Sequence, residues 1–125
     1  MKQATSLFES TFQPGKDYQL FIGGDWHESD EHVEIRFPYD HDILVGRVAW
    51  ADKHDVDAAL ERAREGAHTM ASWPLYQRAA LLHRAADLLA ARTEHFASLI
   101  VYEVGKPVKD AHLEIARSIA ALHLA

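Results

Sequence analysis

The stretch "EVGKPVKDAHLEIARS" (Glu103–Ser118) decides how this chain is read. An apolar helical pattern arrives from the left and stops at Gly105. A second one leaves from Pro107, and Lys106 stands between them. Gly-Lys at a helix start can mark a phosphate cradle. That cradle needs several glycines, so that backbone N–H groups converge, and a Ser or Thr after the lysine. Here a single glycine precedes Lys106, and Pro107 removes one of the N–H groups a phosphate would use. The other reading is a corner: Gly105 in the left-handed position after one helix, Pro107 in the first turn of the next. The spacing therefore predicts a helix–corner–helix unit and no nucleotide site at Lys106.

The helical period extends in both directions from this corner. Upstream, Phe96, Leu99, Ile100 and Val104 fall on one face of a helix that starts near Thr93, a candidate N-cap. Before it, Leu82, Ala85, Ala86 and Leu89 mark another helix. Before that, Val56, Ala59, Leu60, Ala63, Ala67 and Met70 mark a third, with Asp52 as N-cap and Asp55 completing a capping box. Gly66 weakens this helix and Pro74 lies beyond its end. Downstream, Val108, Ala111, Ile115, Ile119 and Leu122 form a stripe with no stop signal behind it. The expectation is a helix cut in mid-course, its stripe separated from whatever it packs on.

Ahead of the helices the period shortens to two. Leu20–Ile22 and the return through Trp26 flank Gly23-Gly24, a two-residue hairpin signal. Val33, Ile35 and Phe37 alternate up to Pro38, and "DILVGRVAW" (Asp42–Trp50) follows, with Gly46 a bulge candidate. Such short, closely spaced strands suggest antiparallel pairing. Residues 1–17 read as an arm with a turn signal at Pro14-Gly15, and residues 18–125 as one incomplete domain. The fold class is α/β: short antiparallel strands, then about four helices.

Composition excludes several functions. The chain has 125 residues, a net charge of -6 and no cysteine. An acidic chain without a basic run is a poor nucleic-acid partner. Disulfides, thiolate catalysis and cysteine metal sites are ruled out. No stretch is apolar enough to span a bilayer, and the first residues lack a secretory h-region.

The remaining chemical signals have structural readings. None of the nine histidines lies three or four residues from another, so no helix face carries a metal pair; His54, His68, His83, His95 and His112 each fall on a helix alone. Asp40-His41-Asp42 reads as a solvated hairpin turn. Gly23-Gly24 lacks the dinucleotide pattern and leads into a strand. Trp26, Trp50 and Trp73 sit at element ends, where a large ring commonly seals a core edge. Glu61, Arg62, Arg64 and Glu65 form a solvated face.

The order of the pieces resembles the amino-terminal part of the NAD(P)-dependent aldehyde dehydrogenase superfamily. The resemblance rests on "LFIGGDW", the strand ending at Pro38, the Asp55-Val56-Asp57-x-Ala59 helix start, Arg78 with its Leu-rich helix, and Glu103-x-Gly105-Lys106-Pro107. Phe37 departs from the family, which usually has Asn before that proline. The resemblance implies a longer parent that oxidises an aldehyde to an acid with NAD or NADP. Its cysteine, general base, oxyanion asparagine and cofactor lysine lie later in the family's chain, as does the parallel sheet of the cofactor domain. It also implies cytoplasmic location and a homo-oligomer, dimer or tetramer. Its style is nearest to members acting on small hydroxy-, phospho- or phosphono-aldehydes. No catalytic or cofactor-binding residue carries over. One ligand set does: a weak monovalent cation held by the backbone carbonyls of Ile35 and Arg36 and the carboxylate of Glu103. The rival expectation is that Glu103 pairs with Arg36 or faces solvent. A different class of function, a stand-alone helical interaction module, stands beside the enzyme reading.

Overall fold

A computed structural model describes residues 15–125. The arm up to Pro14 lies outside the described residues. Nine elements follow in order: β1 (Lys16–Tyr18), β2 (Leu20–Ile22), β3 (Asp25–His27), β4 (His32–Phe37), β5 (Asp40–Ala49), then α1 (Lys53–Ser72), α2 (Leu75–Ala90), α3 (Thr93–Val104) and α4 (Val108–Leu124). The first strand thus begins inside the segment read as an arm.

β2 and β3 form an antiparallel hairpin across Gly23-Gly24, with φ of 65° and 102° at the two glycines. Positive φ at both loop positions is the geometry that matches strand twist, and glycine adopts it without a Cβ penalty. The other sheet has order β1-β5-β4. β4 and β5 pair antiparallel as the alternation implied, but β1 runs parallel to β5, in register Lys16 with Gly46 and Tyr18 with Val48. Three residues without alternation carry no signal for that pairing. Gly46 makes it sterically feasible, since a Cβ there would stand 2.9 Å from the Lys16 carbonyl oxygen and 3.0 Å from the Tyr18 ring. The bulge expected at Gly46 falls beside it: β4 passes from Gly46 to Leu44 in one step, leaving Val45 as the extra residue.

The β4–β5 turn is Pro38-Tyr39, not Asp40–Asp42, which already belongs to β5. Proline's fixed φ favours the earlier turn, and the Asp42 N–H closes locally on the Asp40 carboxylate at 3.2 Å.

The capping box on α1 is complete. Asp52 accepts from the Asp55 N–H at 2.8 Å, and Asp55 accepts from the Asp52 N–H at 3.0 Å. α3 starts at Thr93 as expected, but its cap is Arg92, and the Thr93 hydroxyl donates back to the Ala90 carbonyl at 2.9 Å. Gly105 closes α3 with φ 74°, in the left-handed region, and its N–H reaches the Val101 carbonyl at 2.9 Å. Pro107 sits one residue earlier than expected, at the N-cap of α4 with ψ 143°.

α4 packs on α2 and α3, and α3 packs on β4. The α4 stripe therefore has partners within the chain: Ala111 and Ile115 are buried, Ile119 and Leu122 half-buried. Of the six buried hydrophobic residues described, four are alanines: Ala49, Ala86, Ala97 and Ala111. Alanine lets helix backbones approach closely but removes little apolar surface from water. On α3 the buried residues are Ala97 and Ser98, while Val104 is exposed. No described helix is long and apolar enough to cross a membrane.

Candidate functional site

Two of the three residues of the expected cation site border the same cavity. Ile35 and Glu103 line one small cavity of about 250 Å³ between the sheet and α3, with Tyr18, Val45, Gly46, Val48 and Leu99 as its other walls. Ile35 reaches it from β4, and Glu103 from the last turn of α3. β4 loses regular register at both Ile35–Arg36 and Arg36–Phe37. Carbonyls at such steps are the ones a regular ladder does not claim.

Arg36 faces elsewhere. Its guanidinium forks onto the Glu34 carboxylate at 2.7 Å and 3.1 Å and donates to the His41 carbonyl at 2.8 Å. Of the rival expectation, the Arg36–Glu103 pair does not form, while Glu103 is exposed, as its solvent-facing alternative holds. Among the described residues Glu103 takes part in no ion pair. Phe37 fills the turn by aromatic packing, 5.4 Å from the Tyr102 ring and 5.7 Å from Tyr39.

Lys106 is an ion-pair residue. Its ammonium meets the Glu114 carboxylate two turns into α4, which ties the corner to the helix it starts. His112 binds α4 to α3: one ring nitrogen meets the Glu94 carboxylate at 3.0 Å, the other the Val108 carbonyl at 2.9 Å. Both partners are acceptors, so the doubly protonated ring satisfies both. The Glu94 carboxylate first, then the Val108 carbonyl, raises the pKa of His112 above the ordinary 6.5.

A larger open cleft, about 460 Å³, lies at the start of α1 and is lined by Glu28, Ser29, Asp30, Glu31, Trp50, Asp52 and Asp55. Ser29 holds its loop shut by donating to the Trp50 carbonyl at 2.6 Å. Asp52, His54 and Asp55 bring ligand-type atoms within 4.8 Å of one another. The capping box explains that closeness, since both carboxylates are spent on backbone N–H groups. The Asp55 N–H holds the Asp52 carboxyl below its ordinary value.

The described glycines with positive φ are Gly15, Gly23, Gly24 and Gly105, and none stands between a strand and a helix start. The one strand-to-helix passage leads into the Asp52–Asp55 box, whose carboxylates repel a pyrophosphate. Trp26 and Trp50 seal no core here, at 65% and 59% exposed, while Trp73 is more covered at 37%. Sequence reasoning also missed a long-range pair. His83 of α2 and His123 of α4 meet with ring centroids 5.3 Å apart. A search for histidines spaced along one helix does not find partners forty residues apart.

Residues 26–125 match the aldehyde dehydrogenase family. The chain is 31% identical over 109 residues to a 3-sulfolactaldehyde dehydrogenase of Priestia aryabhattai, covering 87% of this chain and 22% of that protein. It is 38% identical over 95 residues to aspartate-semialdehyde dehydrogenase 1 of Pseudomonas canavaninivorans, covering 76% of this chain and 20% of that protein. A Thermus 1-pyrroline-5-carboxylate dehydrogenase solved with bound NAD superposes with a TM-score of 0.88 at 30% identity, covering 98% of this chain and 25% of that one. The chain thus spans about a fifth to a quarter of the length of the relatives it matches. A family match over residues 26–125, most of its length, means that this chain belongs to the aldehyde dehydrogenase family.

Proposed function

We propose that this chain is the amino-terminal portion of an NAD(P)-dependent aldehyde dehydrogenase, in which it serves as scaffold. The observation that carries this reading is the superposition of nearly the whole chain on a quarter of a related dehydrogenase. In the family's chemistry a thiolate attacks the aldehyde, hydride passes to NAD(P), and the thioester is hydrolysed. This chain has no cysteine to supply the thiolate. Its own residues contribute rigid geometry: the Gly105 corner, the Lys106–Glu114 and His112–Glu94 pairs, and the packed α2–α3–α4 layer.

Three similar dehydrogenases are named for 3-sulfolactaldehyde, 1-pyrroline-5-carboxylate and aspartate semialdehyde. All three compounds are small and carry an anionic group. Together with the style of the Pro38–Val48 and Glu103–Arg117 segments, this supports a small anionic aldehyde as the parent's substrate. A cytoplasmic homo-oligomer, dimer or tetramer, completes the reading.

Ile35, Arg36 and Glu103 fit a monovalent cation in part. A hard cation prefers oxygen ligands. The cavity shared by Ile35 and Glu103 and the irregular ladder at the two carbonyls support this reading, while the apolar walls Val45, Val48 and Leu99 count against it. The Arg36 charge is drawn off by Glu34.

The test has two arms. The 125-residue chain, titrated with NAD and NADP in a calorimeter and assayed with aspartate semialdehyde, is expected to show neither binding nor reduction. The reading frame past the Ala125 codon is expected to continue and encode a cysteine and a glutamate in family context. A stop codon there, with a folded and soluble product, overturns the enzyme reading in favour of a stand-alone module.

A further inference from the structure

We propose that His83 and His123 form a two-histidine site for a divalent transition-metal ion, with Zn²⁺ as its simplest occupant, that clips α2 to α4. Their rings meet across the helix seam at 5.3 Å between centroids and 53° between planes. The distance is the informative quantity. A tetrahedral zinc ion takes each imidazole through one nitrogen at about 2.0–2.1 Å, and the ring centroid lies about 1.2 Å beyond that nitrogen. Two such rings at the tetrahedral angle put their centroids about 5.2 Å apart. The observed separation thus matches that of two imidazoles sharing one ion.

The seam holds the pair in place. Ala86, one turn on from His83, is buried, and Ile119, one turn before His123, is half-buried, so both helices are anchored on the face that carries the histidines. Both histidines are themselves exposed, so an ion can enter and water can complete its coordination. Imidazole nitrogens select Zn²⁺, Ni²⁺ and Cu²⁺ over Mg²⁺ and Ca²⁺. Because the ligands come from two helices, the site exists only in the folded chain, and binding stabilises the fold.

The experiment is a Zn²⁺ titration of the full chain by calorimetry, paired with thermal unfolding with and without the ion. Zn²⁺ is expected to bind one tight site and raise the unfolding temperature, while Mg²⁺ does neither. His83→Gln and His123→Gln are each expected to weaken that site by about tenfold or more, because the second ligand of a pre-placed pair acts at high effective concentration. Both should also abolish the thermal shift. His68→Gln, on α1, is expected to leave both readouts unchanged. Zn²⁺ affinity unchanged from the parent chain in either seam variant, equal affinity in the urea-unfolded chain, or a thermal shift that survives both substitutions overturns the proposal.

Discussion

At Gly105 two demands meet on one residue. Its φ of 74° suits glycine, and an added Cβ would approach the Tyr39 ring to 2.8 Å and Pro38 to 3.3 Å. Tyr39 is largely exposed and can swing aside, so the backbone term decides. Gly105→Ala is expected to destabilise the fold by about 1 kcal/mol, read as a lower urea midpoint. Gly105→Asn should cost less, since Asn tolerates the left-handed region. At His112 the sign of the pH effect follows from the raised pKa. The Glu94 contact contributes fully below 6.5, the ordinary histidine value, and is lost as pH rises through the higher folded value. The difference in urea midpoint between the parent chain and His112→Gln should therefore shrink from about pH 6 to about pH 9. A difference that stays constant over that range contradicts the pair. Asp52 runs the other way. Its lowered pKa makes the cap effective above the ordinary 3.8 and lost as pH falls through the folded value. Asp52→Asn should keep the cap and remove this acid dependence, whereas Asp52→Ala should lose the cap at every pH.

Among elements, α4 is the one whose loss would open the helical layer, because it packs on both α2 and α3. Ile115 is its largest buried side chain, 5% exposed. Ile115→Ala is expected to cost about 2–5 kcal/mol in thermal unfolding. A cost near zero would mean that the stripe does not seal the layer. The stripe itself was legible, because five apolar residues at helical spacing allow only one face. Its partners were not, since a periodic pattern shows that a face is buried without showing against what. The same limit blurred the inner face of α3, where small Ala97 and Ser98 are innermost, Phe96, Leu99 and Ile100 are half-buried and Val104 is outside. Caps and corners read best. Asp52, Asp55, Gly23, Gly24 and Gly105 act through neighbours in sequence, so their chemistry is local. The parallel β1 strand and the His83–His123 pair were silent because each depends on contacts that only the finished fold creates. Of the three expected cation ligands, residue types could place Ile35 and Glu103 on elements. Only the structure shows that they share a cavity and that Arg36 turns away.

Across the whole molecule the apolar balance is unfavourable. Leu60, Leu75, Tyr76, Leu88 and Leu124 stand 52–88% exposed. Each such side chain left in water forgoes about 1.5–3 kcal/mol of burial, and contiguous exposed apolar surface promotes association. The isolated chain is therefore expected to show a weight-average mass that rises with concentration in analytical sedimentation. A single compact monomer across the whole range is the contrary outcome. Leu60→Lys and Leu75→Lys should each reduce the association while leaving the helical content intact.

The alanines between the helices carry a consequence for how this segment tolerates mutation. Most hydrophobic interiors are damaged by trimming, because removing atoms opens voids. Here Ala86, Ala97 and Ala111 are fully enclosed and have almost nothing to trim. Their vulnerability lies in growth: an added branch at any of the three enters space already filled, at about 1–3 kcal/mol. A saturation scan of the segment should therefore show these three positions accepting Gly and Ser better than Val or Leu, a profile of the kind usually associated with close-packed membrane helices but carried here by a chain with a net charge of -6.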